Sequence, residues 1–238
     1  MKITYLSIFP ELFDSFRSTT LISRAISRRL LSFQTINPRH FCDDKHRTID
    51  DKVYGWGYGM LMKAPPIIAA IKQWIKKNKL WIKSKKWKTT NWNQRHIVIP
   101  SPSQTIFCQQ YAHQRSEYKH LLFICGRYEG IDERVRLRLQ KKYLQNITKV
   151  SLWQFITLGG ELPAMTITEA VVRLIPGVIK EEMSRIDESY SIQQWMSNIE
   201  YPQYTRPEVV EKMSVPDILL SGNHKVIAEF KNNHTTKA

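Results

Sequence analysis

The chain has 238 residues, of which 42% are hydrophobic, and this is enough apolar material for a folded core, so disorder is excluded as the default state. Lysine and arginine number 36 against 21 acidic residues, and the resulting net charge of +15 predicts a polyanionic partner. The sequence contains no apolar run of about 18 residues that could cross a bilayer. A nucleic acid is therefore favoured over a membrane.

Three cysteines, Cys42, Cys108 and Cys125, are odd in number and have no paired histidines at metal-ligand spacing. They predict reduced side chains that are buried as small hydrophobic groups. Near the amino terminus, Pro10 and Glu11 interrupt a short apolar run before it reaches the length of a signal peptide. Together these features predict a cytoplasmic protein.

The first elements alternate between strand and helix. Residues 3–9 are predicted to form a strand, and Pro10 then opens a helix at a position where proline is tolerated. Residues 20–31 predict a second helix, and residues 32–37 predict another short strand. Such alternation is typical of an α/β domain.

A long polar stretch, residues 40–62, follows and carries glycine at alternate positions, Gly55, Gly57 and Gly59. Glycine at every second position weakens a regular element and frees the backbone for turns. The stretch is interpreted either as a flexible loop that becomes ordered on a substrate or as a structural connection with aromatic packing.

Residues 65–88 begin as a helix and become rich in lysine, with Trp74, Trp81 and Trp87 among the cations. Cations beside aromatic rings suit phosphates and stacked bases. The same pattern is more common on a solvated helix face followed by a loop. No specific site is assigned to this run.

Three loops that follow predicted strands form a predicted pocket. Residues 97–99 lead into a Pro-Ser-Pro-Ser loop, and a helix at 109–116 crosses to the strand at 121–125, which Gly126 ends. This βαβ unit predicts a parallel sheet with the two loops side by side. Ligands of such sheets bind at the carboxyl ends of strands, although a turn and a salt-bridged helix start also explain residues 126–135.

The third loop follows a predicted strand at 147–152 and contains the pair Gly159 and Gly160. A planar ring could lie there against bare backbone, or the pair could form a tight turn before a helix at 164–174. Residues 176–190 then lose periodicity and predict an interdomain linker. Residues 191–238 predict a small, mainly helical second domain.

Several sequence blocks occur in a characteristic order along the whole chain. They are Ile8-Phe9-Pro10-Glu11, His46-Arg47-Thr48, Tyr54-Gly55 with Gly59-Met60-Leu61-Met62, residues 125–135, residues 159–165, Ile175-Pro176-Gly177, Tyr204-Thr205-Arg206-Pro207 and residues 219–224. With these blocks the chain resembles the bacterial tRNA (guanine-N1)-methyltransferases, which methylate the guanine just 3′ of the anticodon.

The resemblance implies an α/β parallel-sheet domain with a deep trefoil knot of the SPOUT type and a small helical carboxy-terminal domain. It divides the chain into a methyltransferase domain (1–178), an interdomain linker (179–190) and a tRNA-binding domain (191–238). It also implies a homodimer with both active sites at the subunit interface. Sequence physics alone would not predict a knot, since threaded connections are rare.

The resemblance implies that S-adenosylmethionine binds in the knot and that magnesium, for which Glu129 is the anchor, assists. The residues that match the family's donor pocket come from the three loops described above. They are Ile99, Pro100, Ser101, Pro102, Gly126, Tyr128, Glu129, Gly130, Ser151, Leu152, Trp153, Gln154, Phe155, Ile156, Thr157, Leu158, Gly159 and Gly160.

The chemistry requires a base and a cation, because N1 of guanine carries a proton at neutral pH and O6 gains negative charge during transfer. The family's catalytic arginine matches Arg173. Its catalytic aspartate matches Glu188 when the chain is aligned on Ser189-Tyr190, but Asp187 immediately precedes it. Chemistry favours Asp187 and alignment favours Glu188, so both stay candidates for the base.

The chain departs from the family pattern at Trp56, Gln104 and Trp153, which replace glycines, and at Gln154, which replaces an aspartate. The exchanged order of Asp187 and Glu188, together with Trp153, supports one alternative, a catalytically weakened RNA-binding protein of the same fold. An unrelated basic RNA-binding module is disfavoured, since charge alone does not explain three glycine-bearing loops in one sheet. The surviving glycines predict that donor binding is retained.

On the RNA side, the resemblance places the anticodon stem-loop between the knotted domain of one subunit and the carboxy-terminal domain of the other. The target base must be extruded, and proteins read such a base by edge hydrogen bonds and stacking. The candidate RNA contacts are Asp50, Tyr204, Arg206, Asn223 and His224.

Overall fold

The computed structural model describes residues 1–55, 57–78, 94–103, 105–143, 146–180, 188–191 and 198–237. The chain forms two compact units, Met1–Ile179 and Lys180–Ala238. Within the described ranges, every helix is too short or too polar to cross a membrane.

A parallel sheet of five strands lies at the centre of the first unit, in the order β2-β1-β6-β5-β7. The register places Leu6 beside Ile124 and Val98 beside Phe123, so the carboxyl ends of neighbouring strands share one edge. The strands are β1 (Lys2–Leu6), β2 (Ser32–Ile36), β5 (Arg95–Pro100), β6 (His120–Ile124) and β7 (Ile147–Val150). The predicted α/β class with a parallel sheet is confirmed.

Helices cover both faces of this sheet. They are α1 (Leu12–Ser18), α2 (Thr20–Ser27), α3 (Ala64–Lys77), α4 (Gln109–Ser116), α5 (Arg134–Tyr143) and α6 (Glu161–Val172). The central strand β6 is buried throughout and supplies both core layers. Leu121 and Phe123 pack with α1, α2, α4 and α6, whereas Leu122 and Ile124 pack with α3 and α5. Because both faces of β6 are buried, its residues 121–124 must all be apolar.

The polar stretch at 40–62 is more ordered than its glycine content predicts. A 3-10 turn (Pro38–Phe41) overlaps its start, and β3 (Asp50–Lys52) and β4 (Met60–Met62) pair in an antiparallel hairpin within it. The hairpin docks on the loop after β6, because Met62 N donates to Gly130 O at 3.0 Å and Glu129 N donates to Met60 O at 2.9 Å. This order depends on residues far away in sequence, which explains why local pattern missed it.

Two other sequence interpretations need correction. Trp74 is buried in α3 and donates its indole N–H to Thr4 Oγ1 at 3.3 Å, so it offers no ring to a nucleic acid. Trp81 and Trp87 lie outside the described residues. The prediction of three buried cysteines is wrong for Cys108, which is exposed, and holds fully only for Cys125.

The second unit contains helices α7 (Asp217–Leu220) and α8 (His224–His234). Short strands accompany them: β9 (Val209–Val210) pairs with β10 (Met213–Ser214), and β8 (Asn198–Ile199) pairs with β11 (Thr236–Lys237). Strands of two residues give too little alternation to be recognised from sequence.

Candidate functional site

The loops that follow β5, β6 and β7 line one cleft of about 260 Å³. They meet because parallel neighbouring strands end at the same edge of the sheet. The cleft is lined by Pro100, Ser101, Pro102, Gly126, Tyr128, Glu129, Gly130, Val150, Ser151, Leu152, Phe155, Ile156, Thr157, Leu158, Gly159, Gly160 and Pro163. The structure therefore brings together most of the pocket residues named from the sequence.

Three of the named pocket residues lie outside the lining. Ile99 is buried in the core, and Trp153 and Gln154 are exposed on the loop after β7. Two lining residues, Val150 and Pro163, were not expected. Val150 is the last residue of β7, and Pro163 lies three residues after the glycine pair. Their closeness to these predicted features is the only sign of them in the sequence.

The backbones of two loops meet directly at the glycine pair. Gly160 N donates to Gly126 O at 2.8 Å. A Cβ atom added at Gly160 would lie 3.0 Å from Cys125 Cα, which is tighter than ordinary packing. Glycine is needed here because a second backbone occupies the space of a side chain.

The acidic residue of the cleft, Glu129, lies against the hairpin. A Cβ atom at Gly59 would be 2.6 Å from Glu129 Oε1, so the glycine makes room for this carboxylate. Among the described residues, no three or more His, Cys, Asp or Glu side chains form a group that could hold a metal ion. The cleft thus offers a metal one carboxylate and no protein cage.

Comparison with known proteins identifies the family. The model of the tRNA (guanine-1)-methyltransferase TrmD family matches residues 1–238. The chain belongs to this family. The resemblance seen in the sequence and the predicted class of enzyme, a tRNA methyltransferase, are both confirmed.

Curated relatives match this methyltransferase over nearly all of its length. A tRNA (guanine-N(1)-)-methyltransferase of Staphylococcus haemolyticus is 38% identical over 232 residues, which cover 98% of this chain and 84% of the relative. The enzymes of the same name from Dictyoglomus turgidum and Bacillus subtilis are 38% and 37% identical, each over all of this chain and over 86% and 88% of the relative. These matches do not favour the alternative of a decayed RNA-binding protein.

The candidate catalytic arginine of the methyltransferase lies far from the cleft along α6. Gly160 precedes this helix of 12 residues and Arg173, which is half-buried, follows it. At a rise of about 1.5 Å per residue the helix is about 18 Å long. Within one chain, the structure therefore does not bring Arg173 to the glycine pair.

Of the two candidate bases, Glu188 is among the described residues and Asp187 is not. Glu188 belongs to the second unit, where its carbonyl accepts a hydrogen bond from Ser191 N at 3.1 Å. Asp187 lies outside the described residues, as do Trp56 and Gln104. Which carboxylate is the base stays a prediction.

The candidate RNA contacts are divided between the units. Asp50 is half-buried in β3 of the first unit, whereas Tyr204, Arg206 and His224 are exposed in the second. Asn223 caps α8, with its Oδ1 accepting from Lys225 N at 3.1 Å. The side-chain oxygen of Asn223 is therefore already engaged, and the side-chain NH2 is the group that could donate to a base.

Proposed function

We propose that this methyltransferase transfers a methyl group from S-adenosylmethionine to N1 of the guanine just 3′ of the anticodon in tRNA. The family match over the whole chain is the observation that carries the proposal. The net charge of +15 supports a polyanionic substrate.

The cleft after β5, β6 and β7 suits the proposed donor. Apolar side chains such as Pro100, Leu152 and Leu158 offer surface to the faces of an adenine ring, and glycine backbones offer hydrogen-bonding groups to its edge. Gly130, whose φ is +118°, leaves open space around its Cα. When bound, S-adenosylmethionine supplies a methyl group activated by its sulfonium sulfur.

The protein's own residues manage the proton and the charge. Asp187 or Glu188 takes the N1 proton of guanine as the N1–methyl bond forms and the sulfur–methyl bond breaks, with its electron pair returning to sulfur. Arg173 stabilises the negative charge that develops at O6. These roles rest on the family motif that the residues match.

We further propose a homodimer, with each active site built from two chains. The separation of Arg173 from Gly160 by the length of α6 supports this, since one chain does not supply both groups to one place. Residues 1–178 form the methyltransferase domain, residues 179–190 the linker and residues 191–238 the tRNA-binding domain of this proposal. The close contact of Gly160 with Gly126 is consistent with a trefoil knot at these loops.

Magnesium is proposed to bind at Glu129. It binds proteins through one or two carboxylates while keeping several waters, so Glu129 alone is a sufficient anchor only if the substrates supply other ligands. The proposed setting for all of this chemistry is the cytoplasm.

One experiment tests the proposed function directly. The protein is incubated with unmodified tRNA and S-adenosylmethionine, and the nucleosides are then analysed by mass spectrometry. We expect 1-methylguanosine from the position 3′ of the anticodon. No methylated nucleoside, or a methyl group on another base, contradicts the proposal.

Replacing Gly160 with alanine is expected to weaken donor binding by at least about tenfold and to lower Tm. The added Cβ would lie 3.0 Å from Cys125 Cα and 3.1 Å from Gly126 N, and backbone atoms cannot rotate away. Overpacking of this kind costs about 1–3 kcal/mol. Calorimetry and thermal melting measure the two effects. Gly222→Ala is the comparison, because no heavy atom lies near its added Cβ; its φ of +68° means that strain can lower Tm there, but donor affinity is expected to stay unchanged. Unchanged donor affinity in Gly160→Ala contradicts the expectation.

Replacing Trp153 with glycine, the family residue, is expected to change the donor dissociation constant by less than about threefold. Trp153 is 61% exposed and lies outside the cleft lining. Calorimetry of both forms measures the change. A wild-type protein that fails to bind at millimolar donor, with binding restored by Trp153→Gly, would show that the ring blocks the site.

A further inference from the structure

A fully buried carboxylate, Glu161, lies immediately behind the cleft in the first turn of α6. Its Oε1 accepts from Ser7 Oγ at 2.6 Å, and its Oε2 accepts from Arg127 Nε at 2.8 Å. Ser7 Oγ in turn accepts from Phe9 N at 3.0 Å. A buried charge is costly unless it is paired and hydrogen-bonded, and here both carboxylate oxygens are satisfied.

The partner arginine belongs to the loop that forms one wall of the cleft. Arg127 stands between Gly126 and Tyr128, both of which line the cleft, while Arg127 and Glu161 themselves do not. Its guanidinium carbon lies 4.7 Å from the centre of the Phe9 ring. The ion pair therefore joins the wall after β6 to the start of α6, which directly follows the glycine pair of the opposite wall.

Gly159 shows that the cleft's backbone is adapted to this ion pair. A Cβ atom at Gly159 would overlap both Arg127 Nε and Glu161 Oε2. Gly159 also forms a backbone bridge with Arg127. The first glycine of the pair thus makes room for the arginine side chain, whereas the second makes room for the neighbouring backbone.

We infer that Glu161 is a positioning residue for the methyl donor: through Arg127 it fixes the spacing between the loop at 126–130 and the glycine pair. It acts from behind the cleft without touching the donor. This inference rests on the proposed function, since it concerns the affinity of the same cleft for S-adenosylmethionine. Small misplacements of binding groups are known to cost large factors in rate or affinity.

The replacement Glu161→Gln tests the inference while keeping the size of the side chain. A glutamine is uncharged and offers one acceptor oxygen where the carboxylate offers two, so the ion pair with Arg127 is lost and the amide nitrogen must face either Ser7 Oγ or Arg127 Nε. We expect the donor dissociation constant and the donor KM to rise about tenfold. The affinity for tRNA without donor, and kcat at saturating donor, are expected to stay within about twofold.

Three further variants sharpen the test. Gly159→Ala displaces Arg127 from the other side and is expected to weaken donor binding in the same way. Arg127→Lys keeps a cation near the buried carboxylate but removes the guanidinium hydrogen bond. Its donor dissociation constant provides the test if Glu161→Gln fails to fold. Combining Arg127→Lys with Glu161→Gln is expected to weaken donor binding no more than the stronger single change, because both break one interaction.

The matched control is Glu133→Gln, which breaks an exposed pairing of Glu133 with Arg136 and Lys149 away from the cleft lining. It is expected to leave donor affinity unchanged. Wild-type donor affinity in folded Glu161→Gln, or equal losses of donor and tRNA affinity, would overturn the inference alone. A wild-type protein that binds no donor would overturn the proposed function and this inference with it.

Discussion

Arg173→Ala is expected to lower the single-turnover rate of guanine methylation by about a hundredfold to a thousandfold, with donor affinity within about twofold of wild type. The cation is needed only when O6 of guanine gains charge, so its removal acts on the chemical step. Because Arg173 follows the end of α6 whereas the cleft contacts only the start of that helix, at Gly160 and Pro163, the replacement is expected to leave the walls of the cleft undisturbed.

Rapid-quench methylation of saturating tRNA, together with donor calorimetry, measures these two quantities for Arg173→Ala. Arg138→Ala, which removes an exposed arginine from α5, controls for the loss of one positive charge. A methylation rate in Arg173→Ala within threefold of the Arg138→Ala rate would remove Arg173 from the mechanism, where threefold marks roughly the precision of comparing such rates.

The double replacement of Asp187 and Glu188 by alanine is expected to lower single-turnover methylation by about a hundredfold to ten-thousandfold, the usual contribution of a general base. The residual rate is expected to rise with pH, because solvent must then take the N1 proton of guanine. The two single replacements identify the base, because replacing the residue that acts as the base should lower the methylation rate as much as the double replacement does.

The control for this pair is Glu229→Ala, which removes an exposed carboxylate from α8 of the same unit. It is expected to methylate at the wild-type rate. Near-normal rates in both single variants and in the double variant would show that the base is elsewhere and would exclude the linker carboxylates.

Two walls of the cleft were predictable from local sequence because their loops follow runs of apolar residues, in β5 and β6, that indicate buried strands. Residues 121–124 are apolar at successive positions since β6 is buried on both faces, and Gly126 marks its end. The glycine pair after β7 was visible for another reason, because two successive glycines indicate a turn. The different roles of the two glycines were not predictable. Only the structure shows that Gly159 makes room for the Arg127 side chain and that Gly160 makes room for the backbone of Cys125.

Other features depend on contacts between residues that are distant in sequence, and such contacts cannot be predicted from a periodic pattern. Glu161 contacts Ser7 across 154 residues and Arg127 across 34. In the local sequence, the network is marked by nothing more than a glutamate directly after the glycine pair, at the start of α6. The hairpin of β3 and β4 was missed because its order comes from docking on the loop after β6.

By itself, the sequence determined the family, the α/β class, the parallel sheet and the three loops that form the cleft. These follow from apolar runs, glycine positions and motif order, which are properties of neighbouring residues. Only the tertiary structure decided that Trp153 lies outside the cleft, that Arg173 is separated from the glycine pair by α6, and that a buried ion pair joins the two walls. Side-chain direction and long-range pairing depend on how the elements pack, so they become defined only when the chain is folded.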